Sequence, residues 1–121
     1  LAQAEREVFE AQVLLDEKKP QEAGQRAYWS MLHAAKGLVK TEFLDIAEDP
    51  DAIVKEFKAR FYDTEKFFDP FAKGKFAQYL FAAHAKADQA FNHESAHHLI
   101  EEAQHFIEAT HSCNTRLGTS A

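Results

Sequence analysis

Five residues recur at 3-4-3-4 spacing between positions 26 and 40: Arg26, Trp29, His33, Lys36 and Lys40. On a helix this spacing gathers them along one edge. Three permanent cations and an imidazole around the chain's only tryptophan suit an anionic partner. Arginine and lysine would meet phosphate while the indole stacks on a base or a guanidinium. The same residues also fit an interface with another domain or subunit. In a third arrangement the aromatic-rich middle of the chain folds over Trp29, and the cations reach water along their apolar stems.

Histidine is the second source of chemistry. Five of the seven histidines fall late in the chain: His93, His97, His98, His105 and His111. Glu94-x-x-His97 and Glu102-x-x-His105 match the i, i+3 pattern of carboxylate-bridged di-iron bundles. Such a centre needs one pair on each of two helices, whereas both pairs here fall on one. Glu94, His98, Glu101, His105 and Glu108 form a stripe opposite Leu99, Ala103, Phe106 and Thr110, so the stripe is expected to face water. Its Glu–His pairs would each be worth roughly a few tenths of a kcal/mol. Neither a metal site nor a cofactor is expected, although exposed histidines leave a metal- or pH-sensing role as an alternative. Cys113 is the single cysteine, which excludes an intramolecular disulfide, a Cys-only zinc site and an iron–sulfur cluster within the chain. It reads as a buried or helix-end thiol rather than a nucleophile. The four glycines are scattered, no phosphate loop or serine nucleophile elbow appears, and no catalytic residue is assigned.

The elements that position these residues are helices. Ala4, Val8, Ala11 and Leu15 predict a first helix over Ala2–Lys18. Pro20 suits the opening turn of a second, which runs to about Thr41 with Gly24, Ala27, Tyr28, Met31, Leu32, Ala35, Leu38 and Val39 in one broad sector. At ~1.5 Å per residue it would be roughly 30 Å long. A loop over Phe43–Pro50 follows. Asp49-Pro50 then opens a short helix carrying Ile53, Val54, Phe57 and Phe61. Asp69-Pro70 repeats that signal before Phe76, Leu80, Ala83, Ala87 and Ala90, predicting a helix to about Phe91. Asn92 caps a last helix to about Ser112, with Ala96, Leu99, Ile100, Ala103, Phe106, Ile107 and Thr110 inward.

Nine aromatic residues lie between Phe57 and Phe81, seven of them Phe. They are expected to build one end of the core. Phe81 is the exception, since it points away from its own helix's apolar stripe, among small residues that would let another helix approach. The expected architecture is all-α: an antiparallel up-and-down four-helix bundle with an extra short helix in the Phe-rich middle. One domain spans 1–113, and 114–121 is expected to be a frayed tail.

The chain has 121 residues, 45% hydrophobic and 28% charged, as a single folded domain would. Its formal charge of −6 argues against a generic nucleic-acid binder. No apolar run approaches a membrane span's length and no signal-peptide pattern opens the chain, so the expected location is the cytoplasm, off the membrane.

Two stretches resemble a known family. Gln21–Val39, with Arg26, Tyr28-Trp29 and His33-Ala34-Ala35, resembles the second-helix signature of HEPN domains. Ala87–Ala109, with its Ala87-Asp88 pair before a Glu/Ala-rich helix, is similar to the family's end. The resemblance implies a helical bundle, often dimeric and frequently attached to a larger partner. Many HEPN domains are ribonucleases that carry an Arg and a His near the start of the last core helix. No Arg stands there in this chain, where Lys86 is the nearby cation. The segment Arg60–Phe81 looks like the HEPN-like helical domain at the C-terminus of some bacterial sulfite/nitrite reductases. The expectation is therefore a non-catalytic accessory or interaction domain, a C-terminal part of a larger oxidoreductase, meeting another domain of its parent or a second copy of itself. Arg26, Trp29, His33, Lys36, Lys40 and Phe81 would form its working surface. Nucleotide or RNA binding, with or without ribonuclease activity, is the alternative.

Overall fold

The 3–4 spacing of Ala4, Val8, Ala11 and Leu15 buries one face of α1 (Ala2–Asp16) in the computed structural model, which describes residues 2–119. α1 ends by doubling back. The Lys19 amide donates to the Leu14 carbonyl, the Lys18 amide donates to that of Leu15, and Lys18 takes a left-handed φ of 64°. These bonds satisfy the last carbonyls of the helix and turn the chain sharply. Only residues 17–19 then separate α1 from α2 (Pro20–Val39), so the two helices lie side by side.

α2 is the centre of the molecule, in contact with α1, α5 (His93–Thr119), α3 (Pro50–Phe57) and α4 (Lys75–Ala85). Much of its buried face is small: Ala23, Gly24, Ala27, Ser30, Ala34 and Ala35. Small side chains let neighbouring backbones approach closely on several sides at once. Gly24 marks the tightest contact, because a Cβ there would lie 2.3 Å from the Phe91 ring. The Gln21 side chain holds that ring in place. It accepts from the Phe91 amide at 2.8 Å and reaches the Gln89 carbonyl at 3.4 Å.

The described residues contain five α-helices and no strand. The short helix α3 starts as the sequence predicts, with the Asp49 side chain accepting from the Ala52 amide at 3.0 Å. It runs on into a π-helical turn over Lys58–Tyr62. Asp69-Pro70 behaves differently. Asp69 Oδ1 accepts from the Phe71 and Ala72 amides, both at 2.8 Å, as an N-cap would. Lys73 then adopts a φ of 55°, and paired backbone bonds between Asp69 and Lys73 close a tight turn. α4 therefore starts at Lys75, five residues after Pro70. It also ends at Ala85 rather than near Phe91, because residues 86–92 leave the helix to reach Gln21 and Gly24 on α2.

The last helix starts with a reciprocal cap. Asn92 Oδ1 accepts from the Ser95 amide at 2.8 Å, and Ser95 Oγ accepts from the Asn92 amide at 3.0 Å. α5 continues to Thr119, past the predicted end at Ser112. Cys113 is buried on this added length, with its thiol 3.3 Å from the Lys66 carbonyl. Arg116 reaches the Phe68 and Lys66 carbonyls at 3.3 and 3.2 Å. Residues 114–119 of the expected frayed tail are thus helical, and residues 120–121 lie outside the described residues.

The Phe-rich segment does build core. Phe57, Phe61, Phe67 and Phe106 are fully buried, and the Phe57 ring lies 5.0–6.1 Å from those of the other three. Phe71, at the tip of the Asp69–Lys73 turn, is 94% exposed.

Gly24→Ala should destabilise the protein by about 1–3 kcal/mol through overpacking against Phe91, net of a smaller gain in helix propensity. In the Gly24→Ala/Phe91→Ala double variant the added methyl should cost nothing more, as urea unfolding of all four proteins would show. An additive double variant would mean that the two positions do not collide.

Candidate functional site

The five-residue edge of α2 faces α1 on one side and the start of α3 on the other, and each neighbour supplies carboxylates. Arg26 Nη1 lies 2.9 Å from Glu10 Oε1. His33 is held on both ring nitrogens, with Nδ1 2.6 Å from Glu7 Oε1 and Nε2 3.0 Å from Glu48 Oε1. Lys36 Nζ lies 3.5 Å from the same Glu48 oxygen. These contacts hold the Glu48 carboxyl below the usual carboxylate range. Its hydrogen bond to His33 is the largest cause and the Lys36 charge the next. The His33 and Glu7 side chains are only 13% and 14% exposed, so this pair is shielded from salt more than the others. Lys40 is exposed and makes no ion pair among the described residues.

Trp29 sits half-buried between these groups, its ring 5.4 Å from that of His33 and 6.3 Å from that of Tyr28. The Phe-rich segment does not fold over it. Phe57, Phe61 and Phe67 pack with one another and with Phe106 instead. Phe81 does not project either. Its ring is half-buried, 5.0 Å from Tyr62 and 6.1 Å from Phe57, at the edge of the core. It faces off its own helix's stripe because the π-helical turn folds back to meet it.

A second relay, which the sequence reading does not bring together, lies beside Trp29. Tyr28 Oη is 2.8 Å from His84 Nδ1, and His84 Nε2 is 2.8 Å from Asp51 Oδ1. Burial pushes the Tyr28 phenol up to about 12, helped by the charges of Asp51, Asp49 and Asp88. The hydroxyl therefore stays protonated, and in the tautomer that places the His84 proton on Nε2 toward Asp51 it donates to Nδ1. This chain joins α2, α4 and α3.

Glu7, Arg26, Tyr28, Trp29, His33, Asp51 and His84 line an open cleft of about 1100 Å³, whereas Glu10, Lys36, Lys40, Glu48 and Phe81 lie outside its lining. Its walls include Glu7, Glu22, Asp51 and Asp88 against the single guanidinium of Arg26, with half-buried Trp29 as the aromatic surface and the edge of buried Tyr28 beside it. The residues that sequence reasoning missed are Glu7, Glu10, Glu48, Asp51 and His84. Glu7 and Glu10 flank the buried stripe of α1 at i, i+3, which is the one local signal that could have suggested acidic partners for Arg26 and His33.

The late histidines behave as the wheel predicts. Glu94, His98, Glu101, His105 and Glu108 are all exposed. His97 pairs with Glu101 at 2.9 Å and His98 with Glu94 at 3.8 Å. Among the described residues no three His, Cys, Asp or Glu side chains converge as metal ligands would. Burial raises the Cys113 thiol, against a smaller opposing effect from Arg116, so it is a poor nucleophile. No described helix is long and apolar enough to cross a membrane. No protein-family model, curated protein or solved structure matches the chain.

The raised Tyr28 phenol predicts an alkaline loss of stability. The folded state holds this proton more tightly than the unfolded chain does, where a tyrosine titrates near 10.0. Its contribution is thus complete below pH 10 and is lost as the pH rises toward about 12. Tyr28→Phe should cost about 1 kcal/mol at pH 7 by removing the donor to His84, and should flatten that alkaline decline. Equal alkaline slopes for the two proteins would show that Tyr28 does not titrate in this way.

Proposed function

We propose that this chain is a non-catalytic helical interaction domain, of the HEPN-like kind its sequence resembles, and that it engages its partner through the Trp29 cleft. A larger assembly such as a sulfite/nitrite reductase is the setting we favour. The observation that carries the reading is the placement of Trp29. The only indole of the chain lies half-buried in a wide, open cleft, with polar neighbours fixed around it by two relays. Large, rigid, partly exposed aromatics on a fixed frame are the usual anchors of protein interfaces.

Nucleotide or RNA binding would need cations free to meet phosphate. Arg26, His33 and Lys36 are instead occupied by Glu10, Glu7 and Glu48. Metal sensing by the last helix would need convergent ligands, whereas His97 and His98 pair with Glu101 and Glu94 along an open surface and no such group forms among the described residues.

A photo-crosslinking residue in place of Gln25, an exposed wall of the cleft, tests the reading in the source cell. It should yield a discrete crosslinked protein, and Trp29→Ala should reduce the yield about tenfold or more while circular dichroism keeps its helical signal. The same probe in place of Glu108, an exposed residue of α5 outside the cleft lining, should not capture that protein. Loss of the reading follows if position 25 captures nothing, or if capture is indifferent to Trp29→Ala.

A further inference from the structure

Resting on that interaction reading, we infer that the occupant of the Trp29 cleft is an arginine-bearing basic segment of a partner protein. The first support is charge. Of the cleft's four carboxylates, Glu7 is engaged by His33 and Asp51 by His84, while Glu22 and Asp88 make no hydrogen bond or ion pair among the described residues. Asp51 gives one oxygen to His84 and is still 88% exposed. The one guanidinium in the lining is already tied to Glu10. Three carboxylates thus keep accepting capacity toward the cleft, and no cation is left to balance them there. The chain as a whole carries −6, which steers a cationic segment toward it.

The second support is the indole. A cation placed over an aromatic ring is attracted by the ring's quadrupole, most strongly over tryptophan. Arginine suits this position better than lysine. Its guanidinium is planar and weakly hydrated, stacks on an aromatic face and donates in a fork to a carboxylate at the same time. Trp29 with Glu22 and Asp88 supplies both kinds of contact within one lining.

The third support is size. An open cleft of about 1100 Å³ exceeds the roughly 300–1,000 Å³ of an ordinary small-molecule site. It accommodates several residues of chain, with aliphatic stems lying over Tyr28, Trp29 and Leu14 and charged ends at the carboxylates.

Trp29 is the chain's own reporter, because no other indole contributes to the fluorescence. An acetylated, amidated heptaarginine should change its emission saturably, and binding should weaken as salt is raised. Heptalysine of the same charge should bind several-fold more weakly, since stacking favours guanidinium. The Glu22→Gln/Asp88→Asn variant changes only exposed side chains, so it should keep the fold and lose about tenfold in affinity. The inference fails if heptaarginine leaves the emission unchanged to millimolar concentration, or if the double variant binds like the parent. It also fails if heptalysine or spermidine binds as tightly, which would mean diffuse attraction or a free polyamine, or if heptaglutamate or single-stranded RNA binds instead. Crosslinking from position 25 that survives such a failure leaves the interaction reading standing without this occupant. Loss of both removes both.

Discussion

α2 has to be covered on nearly every side, and the rest of the architecture follows from how that is done. Eleven of its twenty residues are buried, and four other helices lie against it. A helix surrounded in this way needs small residues where neighbours approach most closely, and Ala23, Gly24, Ala27, Ala34 and Ala35 supply them. The larger Tyr28, Met31, Leu32, Leu38 and Val39 fill the spaces between. Its unburied residues include Gln21, Glu22, Gln25 and Gly37 as well as the Arg26–Lys36 edge. That edge is where the molecule concentrates its long-range polar contacts, because there the neighbouring elements are close enough to bond yet open to water.

Two imidazoles fasten those neighbours. His33 bridges α1 and the loop before α3 through Glu7 and Glu48. His84 bridges α2 and the start of α3 through Tyr28 and Asp51. Imidazole suits the task because its two nitrogens point in opposed directions, so one ring satisfies two partners on different elements. The consequence for the cleft is electrostatic. Of the groups that looked available for an outside anion, Arg26, His33 and Lys36 are used internally and Lys40 is not, while Glu22 and Asp88 stay exposed at the cleft.

The helices were legible because each carries a periodic apolar stripe, and the buried residues of α1 are the four that the spacing selects. The Asn92 cap was legible for the same local reason. Asp49-Pro50 and Asp69-Pro70 look alike in sequence and bind neighbouring amides alike. They differ because Lys73 goes left-handed and closes a turn, which no local signal announces. Of the site, Arg26, Trp29, His33 and Lys36 were visible as an edge. The carboxylates that pair with Arg26, His33 and Lys36 were not visible, because they come from positions 7, 10 and 48, on other elements. His84 and Asp51 stand 33 positions apart and meet only after α3 and α4 have packed. Phe81 was read from its own helix alone, and the turn that buries it belongs to residues 58–62.

The central claim is that the edge around Trp29 presents negative charge despite its basic residues. Collisional quenching of the single indole measures that sign directly. Stern–Volmer constants for caesium and iodide, each normalised to N-acetyltryptophanamide at constant ionic strength, should favour caesium. A larger normalised constant for iodide would mean that Arg26, Lys36 and Lys40 set the local field, and the account of an acidic cleft would be wrong.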